Sequence, residues 1–312
     1  MRILLTGASG FVGKSLREEL RNHTLILTSR SDLIGNSSKF FKKIISNKED
    51  FSDCLEGIDV VIHTAARVHQ MKDRSNDPLA EFLETNCFGT LNLAAQAAHA
   101  GVKRFIFLSS IKVSGEKSHP GKPFRFDDPR RGVDPYARSK AEAEIGLLKI
   151  AKDTQLEVTV IRPPLIYGPG VKANFSSLLK VANLNLPLPL GAVENKRSFV
   201  ALDNLINLII CCIDHPKAAN QIFHVSDDDD ISTSELYTIM VKAFGKKPRL
   251  INIKPRSLKS IAQILGKGDI ADRLCDDLQL DIEHTKRTLD WKPTLKVKEG
   301  IKLCASHLIN NE

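Results

Sequence analysis

The sequence predicts an α/β protein: a Rossmann-type, doubly wound parallel sheet with a smaller, mixed α/β carboxyl-terminal region. A short apolar strand at residues 1–5 leads directly into a glycine turn that opens a helix. Apolar strands and helices then alternate along the first half of the chain, which is the order that produces parallel sheets. The 312 residues exceed what one compact domain usually needs, so a second, smaller unit is expected.

The turn after the first strand carries glycines at positions 7, 10 and 13. Gly7 allows a tight reversal, Gly10 leaves room for a pyrophosphate against bare backbone, and Gly13 lets the helix pack closely on the sheet. The free N–H groups and the dipole of that helix favour negative charge at its amino terminus. The spacing predicts a dinucleotide site that also includes Ser9, Phe11 and Val12.

The residues after the second strand, at 24–28, bear on the choice between NAD and NADP. An acidic side chain there would bind the adenosine ribose hydroxyls and favour NAD. This chain has Arg30 between two serines, and a guanidinium beside hydroxyls suits a 2′-phosphate, which favours NADP(H). Two alternatives stay open, because Arg30 could be a surface residue stacking on adenine and Asp32 is close enough to replace the missing acid.

The next elements continue the alternation. A strand is expected at 59–63, in which His63 is interpreted as packed rather than catalytic. Ala65 and Ala66 are small enough to let the chain pass close to a dinucleotide, and the polar segment 67–78 is predicted to be a mobile loop over the site. Further strands are predicted at 43–45, 104–108 and 157–162, and helices at 50–56 and 79–100.

Two serines and a tyrosine–lysine pair carry the predicted chemistry. Ser109 and Ser110 follow the strand at 104–108, and ligands of parallel sheets bind beyond the carboxyl ends of the strands. Tyr136 and Lys140 lie four residues apart on one face of a helix. The lysine would lower the pKa of the phenol toward neutrality. Tyr136 could then exchange a proton with a sugar hydroxyl while hydride moves to or from a nicotinamide, and Ser110 would bond the same oxygen.

With these motifs in place, the chain resembles the extended short-chain dehydrogenase/reductase superfamily, in its nucleotide-sugar epimerase, dehydratase and reductase branch. The resemblance covers nearly the whole chain and implies NAD(P) bound at the sheet and a nucleotide sugar held by the carboxyl-terminal region. It rests on Thr6–Gly13, Asp59–Ala66, Asn86–Thr90, Ser109-Ser110, Tyr136–Lys140, Arg162-Pro163, Tyr167–Gly170, Arg197–Val200 with Asp203, and Leu289–Pro293.

The resemblance assigns roles to particular residues. It makes Ser110, Tyr136 and Lys140 the catalytic set, of which Tyr136 and Lys140 also contact the cofactor. Asn174 and Arg197 would hold the nucleotide diphosphate, whose charge suits such donors, and Arg273 is a second arginine where the match is looser. Besides the glycine loop and Arg30, the implied cofactor contacts are Ala65, Ala66, Arg67, Asn86, Ser109 and Pro163.

Two departures from the family pattern narrow the activity. Sugar 4,6-dehydratases of this superfamily carry an Asp-Glu pair just after the strand-end serine or threonine, and the 3,5-epimerase/reductases that make GDP-fucose use a cysteine there. This chain has Ile111 and Lys112 instead. Reduction of a 4-keto sugar and 4-epimerisation remain. Because Arg30 replaces an acid and a reductase must exchange its cofactor, we expect a 4-ketoreductase acting at C4 of a UDP-linked hexose.

The alternative is a UDP-glucose or UDP-N-acetylglucosamine 4-epimerase with tightly bound NAD. A more remote alternative is a non-catalytic NADP-binding regulator, which would have no need of the intact catalytic set. Segments 66–69, 107–116 and 186–191 are similar to a bacterial subgroup that makes O-antigen or capsule sugars. We expect a cofactor-binding domain at 1–167, joined by 196–226, and a substrate domain at 168–195 and 227–312.

In the carboxyl-terminal part, segment 168–191 is rich in proline and is expected to be irregular. The four acids at 227–230 are interpreted as a solvated turn ahead of a helix rather than as a metal site. A strand is predicted at 221–225, and helices at 202–214, 234–244, 257–265 and 281–289.

The composition of the chain limits the kinds of partner that we expect it to bind. The net charge is +8 with 6% aromatic residues, and the basic residues are interpreted as scattered, so an anionic small ligand is expected rather than a nucleic acid. The six cysteines form no C-x-x-C pair and are expected to be reduced, without zinc. No signal peptide or membrane partner is expected, and a cytoplasmic location follows. The resemblance also implies a homodimer through the helices at 80–100 and 136–151.

Overall fold

The computed structural model describes residues 1–32, 39–68 and 77–311. Its centre is a seven-stranded sheet in the order β3-β2-β1-β4-β5-β6-β9, in which every neighbouring pair is parallel. This confirms the predicted doubly wound sheet. Most of the predicted loop at 67–78, and His69 of the subgroup match, lie outside the described residues. The strands are β1 Arg2–Thr6, β2 Thr24–Ser29, β3 Lys39–Lys42, β4 Val60–His63, β5 Arg104–Leu108, β6 Glu157–Arg162, β7 Leu165–Tyr167, β8 Phe199–Ala201 and β9 Gln221–His224.

Helices cover both faces of the sheet. One face packs against α1 and α7, and the other against α2, α4 and α5, so each face has its own apolar cluster. A π-helical turn at Glu84–Gly89 joins α3 to α4. The helices are α1 Phe11–Glu19, α2 Ser52–Leu55, α3 Pro78–Leu83, α4 Thr90–His99, α5 Pro135–Asp153, α6 Ala173–Asn183, α7 Leu202–Asp214, α8 Thr233–Ala243, α9 Pro255–Ile264, α10 Gly268–Cys275, α11 Glu283–Leu289 and α12 Val297–Ile309. No helix in the described part of the chain has the length and apolar character to cross a membrane.

The third strand lies before the predicted position. The apolar pair Ile44-Ile45 favoured a strand at 43–45, but β3 ends at Lys42, where it pairs with Ser29 of β2. Ile44 is exposed and Ile45 is buried beside α4. An apolar pair alone therefore did not identify the residues that complete the sheet edge.

Segment 168–191 contains a helix that the sequence-based prediction missed. α6 buries Phe175, Leu179 and Ala182, which recur at helical spacing. They join a third apolar cluster together with α8, α12 and the two-stranded sheet of β7 and β8. The prolines that suggested irregular chain lie outside this helix, at its two flanks.

The acidic run at 227–230 is not simply a solvated turn. Asp227 is fully buried and accepts hydrogen bonds from the Tyr167 hydroxyl at 2.6 Å, the Ala201 amide at 2.8 Å and Asn204 Nδ2 at 2.7 Å. Burial raises the pKa of this carboxyl to about 6 despite those donors. Asp227 therefore joins β7, β8 and α7.

Replacement of Gly13 by alanine tests the tight packing of α1 on the glycine turn. A Cβ at this position would lie 2.2 Å from the Gly7 carbonyl oxygen and 2.9 Å from Ala8 Cα, so the backbone must move. We expect Gly13→Ala to lower the free energy of unfolding by about 1–3 kcal/mol, measured by urea denaturation of the cofactor-free protein. Lys14→Ala, on the exposed side of the same helix, is the control, and equal stability of the two variants would contradict the packing role.

Candidate active site

The glycine turn forms a cradle with one open side. Gly7 has a φ of +71°, and a Cβ there would meet the Ala65 amide nitrogen at 2.7 Å, so only glycine fits without strain. A Cβ at Gly10 would meet a single neighbour, the Gly7 carbonyl oxygen at 3.1 Å. No side chain caps the first turn of α1, which Gly10 precedes. Bare backbone and uncapped amides fit the pyrophosphate of a dinucleotide.

Further residues that the sequence predicts to contact the cofactor lie beside this cradle. Phe11 and Val12 pack toward the core from the first turn of α1, while Ser9 stays exposed. Ala65 and Ala66 follow β4 as partly buried backbone, and Ala65 lies against Gly7. These contacts give the crevice a wall made of small side chains.

A chain of hydroxyls lies at the end of β2. Ser9 Oγ is 2.9 Å from Ser29 Oγ, and Ser29 Oγ is 3.5 Å from Ser31 Oγ. Arg30 is exposed beside them, and the described residues provide no hydrogen bond or ion pair for its guanidinium. Asp32 pairs with Lys42 at 3.4 Å. Hydroxyls and a guanidinium without a protein partner are suited to an adenosine ribose or its phosphate.

Asn86 in the π-helical turn joins two walls of the crevice. Its Oδ1 accepts from the Arg67 amide at 2.8 Å, and its Nδ2 donates to the Arg67 carbonyl and to Ser139 Oγ, each at 3.0 Å. Ser139 in turn donates to the Tyr136 carbonyl at 2.8 Å. Asn86 therefore holds the chain after β4 against the first turn of α5, and its side chain is committed to these bonds.

The start of α5 places Tyr136 beside Ser110. Asp134 caps this helix by accepting from the Ala137 amide at 2.7 Å, and Pro135 follows at the first helical position. Desolvation raises the pKa of the Tyr136 phenol to about 12, and a hydrogen bond with Ser110 lowers it in part. The Tyr136 ring packs edge-on against buried Phe82. Tyr136 and Ser110, which are both partly accessible, can thus act on one ligand oxygen.

Lys140 is buried one helical turn below Tyr136. Its Nζ donates to the Leu108 carbonyl at 2.8 Å and lies 4.4 Å from the centre of the Phe107 ring. Burial lowers the pKa of Lys140 to about 7, and the Glu144 carboxylate opposes that shift. The expectation that Lys140 brings the phenol pKa toward neutrality is wrong for the protein without a ligand, because desolvation of Tyr136 dominates.

Glu144, which was not predicted as a site residue, is a buried carboxylate in α5, the helix that also carries Tyr136 and Lys140. Glu144 is fully buried and accepts from Ser109 Oγ at 2.6 Å, Arg162 Nε at 2.9 Å, Arg162 Nη2 at 2.7 Å and Arg130 Nε at 2.9 Å. Ser109 was predicted to contact the cofactor, but its hydroxyl donates a hydrogen bond to Glu144 instead. Tyr136, Lys140 and Glu144 follow one another at intervals of four residues, a signal that would have predicted a shared helix face.

The remaining predicted site residues are Pro163, a predicted cofactor contact, and the three residues predicted to hold the substrate. Pro163 is buried after β6, and its carbonyl accepts from the Ile111 amide at 2.9 Å, which places it against the turn that follows Ser110. Arg197 is partly buried and donates to the Asp276 carbonyl at 2.8 Å, and burial lowers its pKa. Asn174, at the start of α6, and Arg273, in α10, are exposed. No contact joins these last two to the catalytic set in the described residues.

The fold and this crevice define a dinucleotide-binding enzyme with a Ser/Tyr/Lys set at the carboxyl ends of the strands. The model of the NAD dependent epimerase/dehydratase family matches residues 3–226. UDP-glucose 4-epimerase from Vibrio cholerae is 44% identical over 308 residues, which are 97% of this chain and 94% of that protein. The chain therefore belongs to the NAD dependent epimerase/dehydratase family.

Solved structures agree on the fold. UDP-glucuronic acid 4-epimerase from Bacillus cereus, in complex with NAD, has a TM-score of 0.81 at 21% identity, covering 100% of this chain and 99% of that one. UDP-glucose 4-epimerase from Thermotoga maritima, with UDP-glucose, has a TM-score of 0.78 at 22% identity, also covering 100% and 99%. At these identities the similarity establishes the architecture.

Loss of the Glu144 charge is expected to destabilise the whole site. Arg162 is 1% exposed, and removing one partner of a buried ion pair costs about 3–5 kcal/mol. Glu144→Gln should lower the free energy of unfolding by this amount in urea denaturation. Glu142→Gln, on the exposed side of the same helix, should change it by less than about 0.5 kcal/mol. Similar stabilities for the two variants would show that the network contributes little.

The protonation state of Tyr136 can be read directly from tyrosine absorbance. Because desolvation raises its pKa to about 12, the cofactor-free protein should show no tyrosinate below about pH 10. The measurement is a spectrophotometric titration of the wild type and of Tyr136→Phe. A phenol that ionises near neutral pH in the wild type and is absent from the variant would contradict this expectation.

Proposed function

We propose that this protein is a UDP-hexose 4-epimerase that retains NAD. The observation that carries the proposal is the Ser110–Tyr136 pair above buried Lys140, next to Ile111 and Lys112 where a dehydratase would present acids. The 44% identical UDP-glucose 4-epimerase supports the same activity. From the sequence alone, the 4-epimerase was the alternative to a 4-ketoreductase. We now prefer the 4-epimerase because the comparisons support it better than they support the reductase.

Tyr136, Ser110 and Lys140 have separate roles in the proposed proton transfer. Bound NAD supplies a reversible hydride acceptor for C4. Tyr136 removes the proton of the C4 hydroxyl and returns it after the sugar has turned, and Ser110 holds the same oxygen through a hydrogen bond. In its protonated form, Lys140 contributes positive charge near the phenol, which favours the tyrosinate. Because burial holds the phenol pKa high in the free protein, ionisation of Tyr136 needs further positive charge, which the oxidised nicotinamide ring of bound NAD would supply.

The diphosphate of the substrate is assigned to donors outside the sheet. We propose Asn174 and Arg197, with Arg273 as a second arginine, because a diphosphate binds charge-assisted donors strongly. The division into a cofactor-binding domain, 1–167 with 196–226, and a substrate domain, 168–195 with 227–312, belongs to this proposal. So does a homodimer through the helices near 80–100 and 136–151, where Phe88 and Ile145 are about half exposed.

The 4-ketoreductase is kept as a second candidate on one observation. Arg30 is exposed and has no partner in the described residues, and the serines beside it offer hydroxyls rather than a carboxylate. This arrangement accommodates NADP(H), which a reductase would exchange at each turnover. The identity of the dinucleotide that the protein retains therefore distinguishes the two functions.

The test uses the purified protein with its bound dinucleotide identified after denaturation. We expect NAD in the extract and interconversion of UDP-galactose and UDP-glucose without added cofactor. Tyr136→Phe should reduce the rate about 10²–10⁴-fold while retaining the dinucleotide. Tyr237→Phe, which removes a phenol bonded to the Leu186 carbonyl, is the control.

Consumption of one NADPH for each UDP-4-keto-6-deoxy sugar, with no epimerisation, would contradict the epimerase proposal and support the 4-ketoreductase. Binding of a dinucleotide with neither activity would support a regulator.

A further inference from the structure

One stretch holds most of the net positive charge of the chain. Residues 246–275, here called the basic hairpin, contain eight Lys and Arg against two Asp, a net charge of +6 in a chain whose total is +8. The interpretation of the basic residues as scattered does not hold for this stretch. Four of the eight cations lie in segment 246–254, which leads into α9, two lie in α9, one lies in the turn before α10, and one lies in α10 together with both acids.

The same hairpin turns aliphatic side chains outward. Ile261 is 49% exposed, Ile264 84%, Leu265 66% and Ile270 54%. An amphipathic helix normally buries its apolar side against the core, yet no residue of α9 is buried. Single exposed aliphatic residues are common on proteins, but four within ten residues of one hairpin form a patch.

The hairpin is held in shape by its own contacts. The Lys267 amide donates to the Ala262 carbonyl at 2.7 Å and closes the end of α9. Lys259 Nζ bridges Asp272 at 2.8 Å and Asp276 at 2.6 Å. Asp272 belongs to α10 and Asp276 directly follows the hairpin, so Lys259 ties α9 to α10 and to the segment after it. The apolar patch is therefore presented by a defined pair of helices.

Three basic side chains outside the proposed diphosphate site remain exposed around the patch. Lys254, Arg256 and Lys267 are exposed, and in the described part of the chain none of them forms an ion pair. Lys254 and Arg256 flank the start of α9, and Lys267 lies in the turn before α10. The surface therefore combines outward aliphatic groups with cations that have no protein counter-charge.

We propose that the basic hairpin docks on the surface of an anionic lipid bilayer, with Ile264 and Leu265 entering the headgroup region. Peripheral helices that bind membranes combine aliphatic residues on one side with Lys and Arg that attract anionic lipids. This proposal departs from the sequence-based expectation of no membrane partner. That expectation rested on the lack of a run long enough to span a bilayer, and a peripheral contact needs no such run.

The composition of the patch favours lipid over a protein or a nucleic acid. Protein interfaces are enriched in aromatic residues and depleted of lysine, whereas the hairpin has five lysines and no aromatic residue. Single-stranded nucleic acids are held by aromatic stacking, which the hairpin cannot provide. Exposed isoleucine and leucine also have no role on a phosphate backbone.

The experiment is co-sedimentation of the full chain with vesicles of phosphatidylcholine and phosphatidylglycerol, or of phosphatidylcholine alone. We expect binding to the anionic vesicles that weakens as salt is raised. Ile264→Ser combined with Leu265→Ser, and separately Lys254→Glu combined with Arg256→Glu, should each weaken binding about tenfold. Matched controls on α12 are Ile309→Ser and Lys298→Glu combined with Lys302→Glu, which alter exposed residues outside the hairpin.

Three results would overturn the proposal. The wild type could bind anionic and neutral vesicles equally, or the hairpin variants could bind as well as the controls. A smaller assembly of the Ile264→Ser, Leu265→Ser variant in gel filtration would instead identify the patch as a contact between copies of the chain. The variants should epimerise a nucleotide sugar in solution at the wild-type rate, so failure here is separable from failure of the proposed activity.

Discussion

The buried carboxylate of Glu144 joins parts of the active site that are distant in the sequence. It receives Ser109 from the end of β5, Arg162 from the end of β6 and Arg130 from the segment before α5. An isolated charge at this depth would cost several kcal/mol, so the carboxylate is stable there only when its partners are in place. The backbone beside Ser110 and the helix that carries Lys140 are therefore positioned together.

The walls of the crevice depend on backbone more than on side chains. Gly7 brings the turn after β1 against the chain after β4, and Gly13 brings α1 against that turn, so closely that a Cβ on either glycine would overlap main-chain atoms. Asn86 connects the chain after β4 to α5 through both ends of its amide. Such contacts occupy backbone rather than side chains, and the proposed chemistry rests chiefly on the side chains of Ser110 and Tyr136.

The sequence predicted those strands, helices and site residues that hydrophobic periodicity or motif spacing encodes. β5, β6 and α7 lie at the predicted residues, because each is a long apolar segment with clear limits. β7 and β8 have three residues each and give no periodic signal. The proposed set of Ser110, Tyr136 and Lys140 was predicted from motif spacing and family resemblance, but the direction of the Tyr136 pKa shift depends on burial, which spacing does not encode. Glu144 was missed because its partners, Arg130 and Arg162, come together only in the folded protein.

The contact between β7 and α12 has a consequence for biosynthesis. Tyr167 fits against Gly300, where a Cβ would come within 2.7 Å of the phenol oxygen. More than a hundred residues separate the two, and at roughly 5–20 residues per second the ribosome needs on the order of ten seconds to span that interval. Until then the nascent chain exposes the apolar side of α6 and β7. The apolar cluster formed by α6, β7 and α12 is thus the last part of the chain to become compact, and it is the region in which a chaperone would find its binding surface.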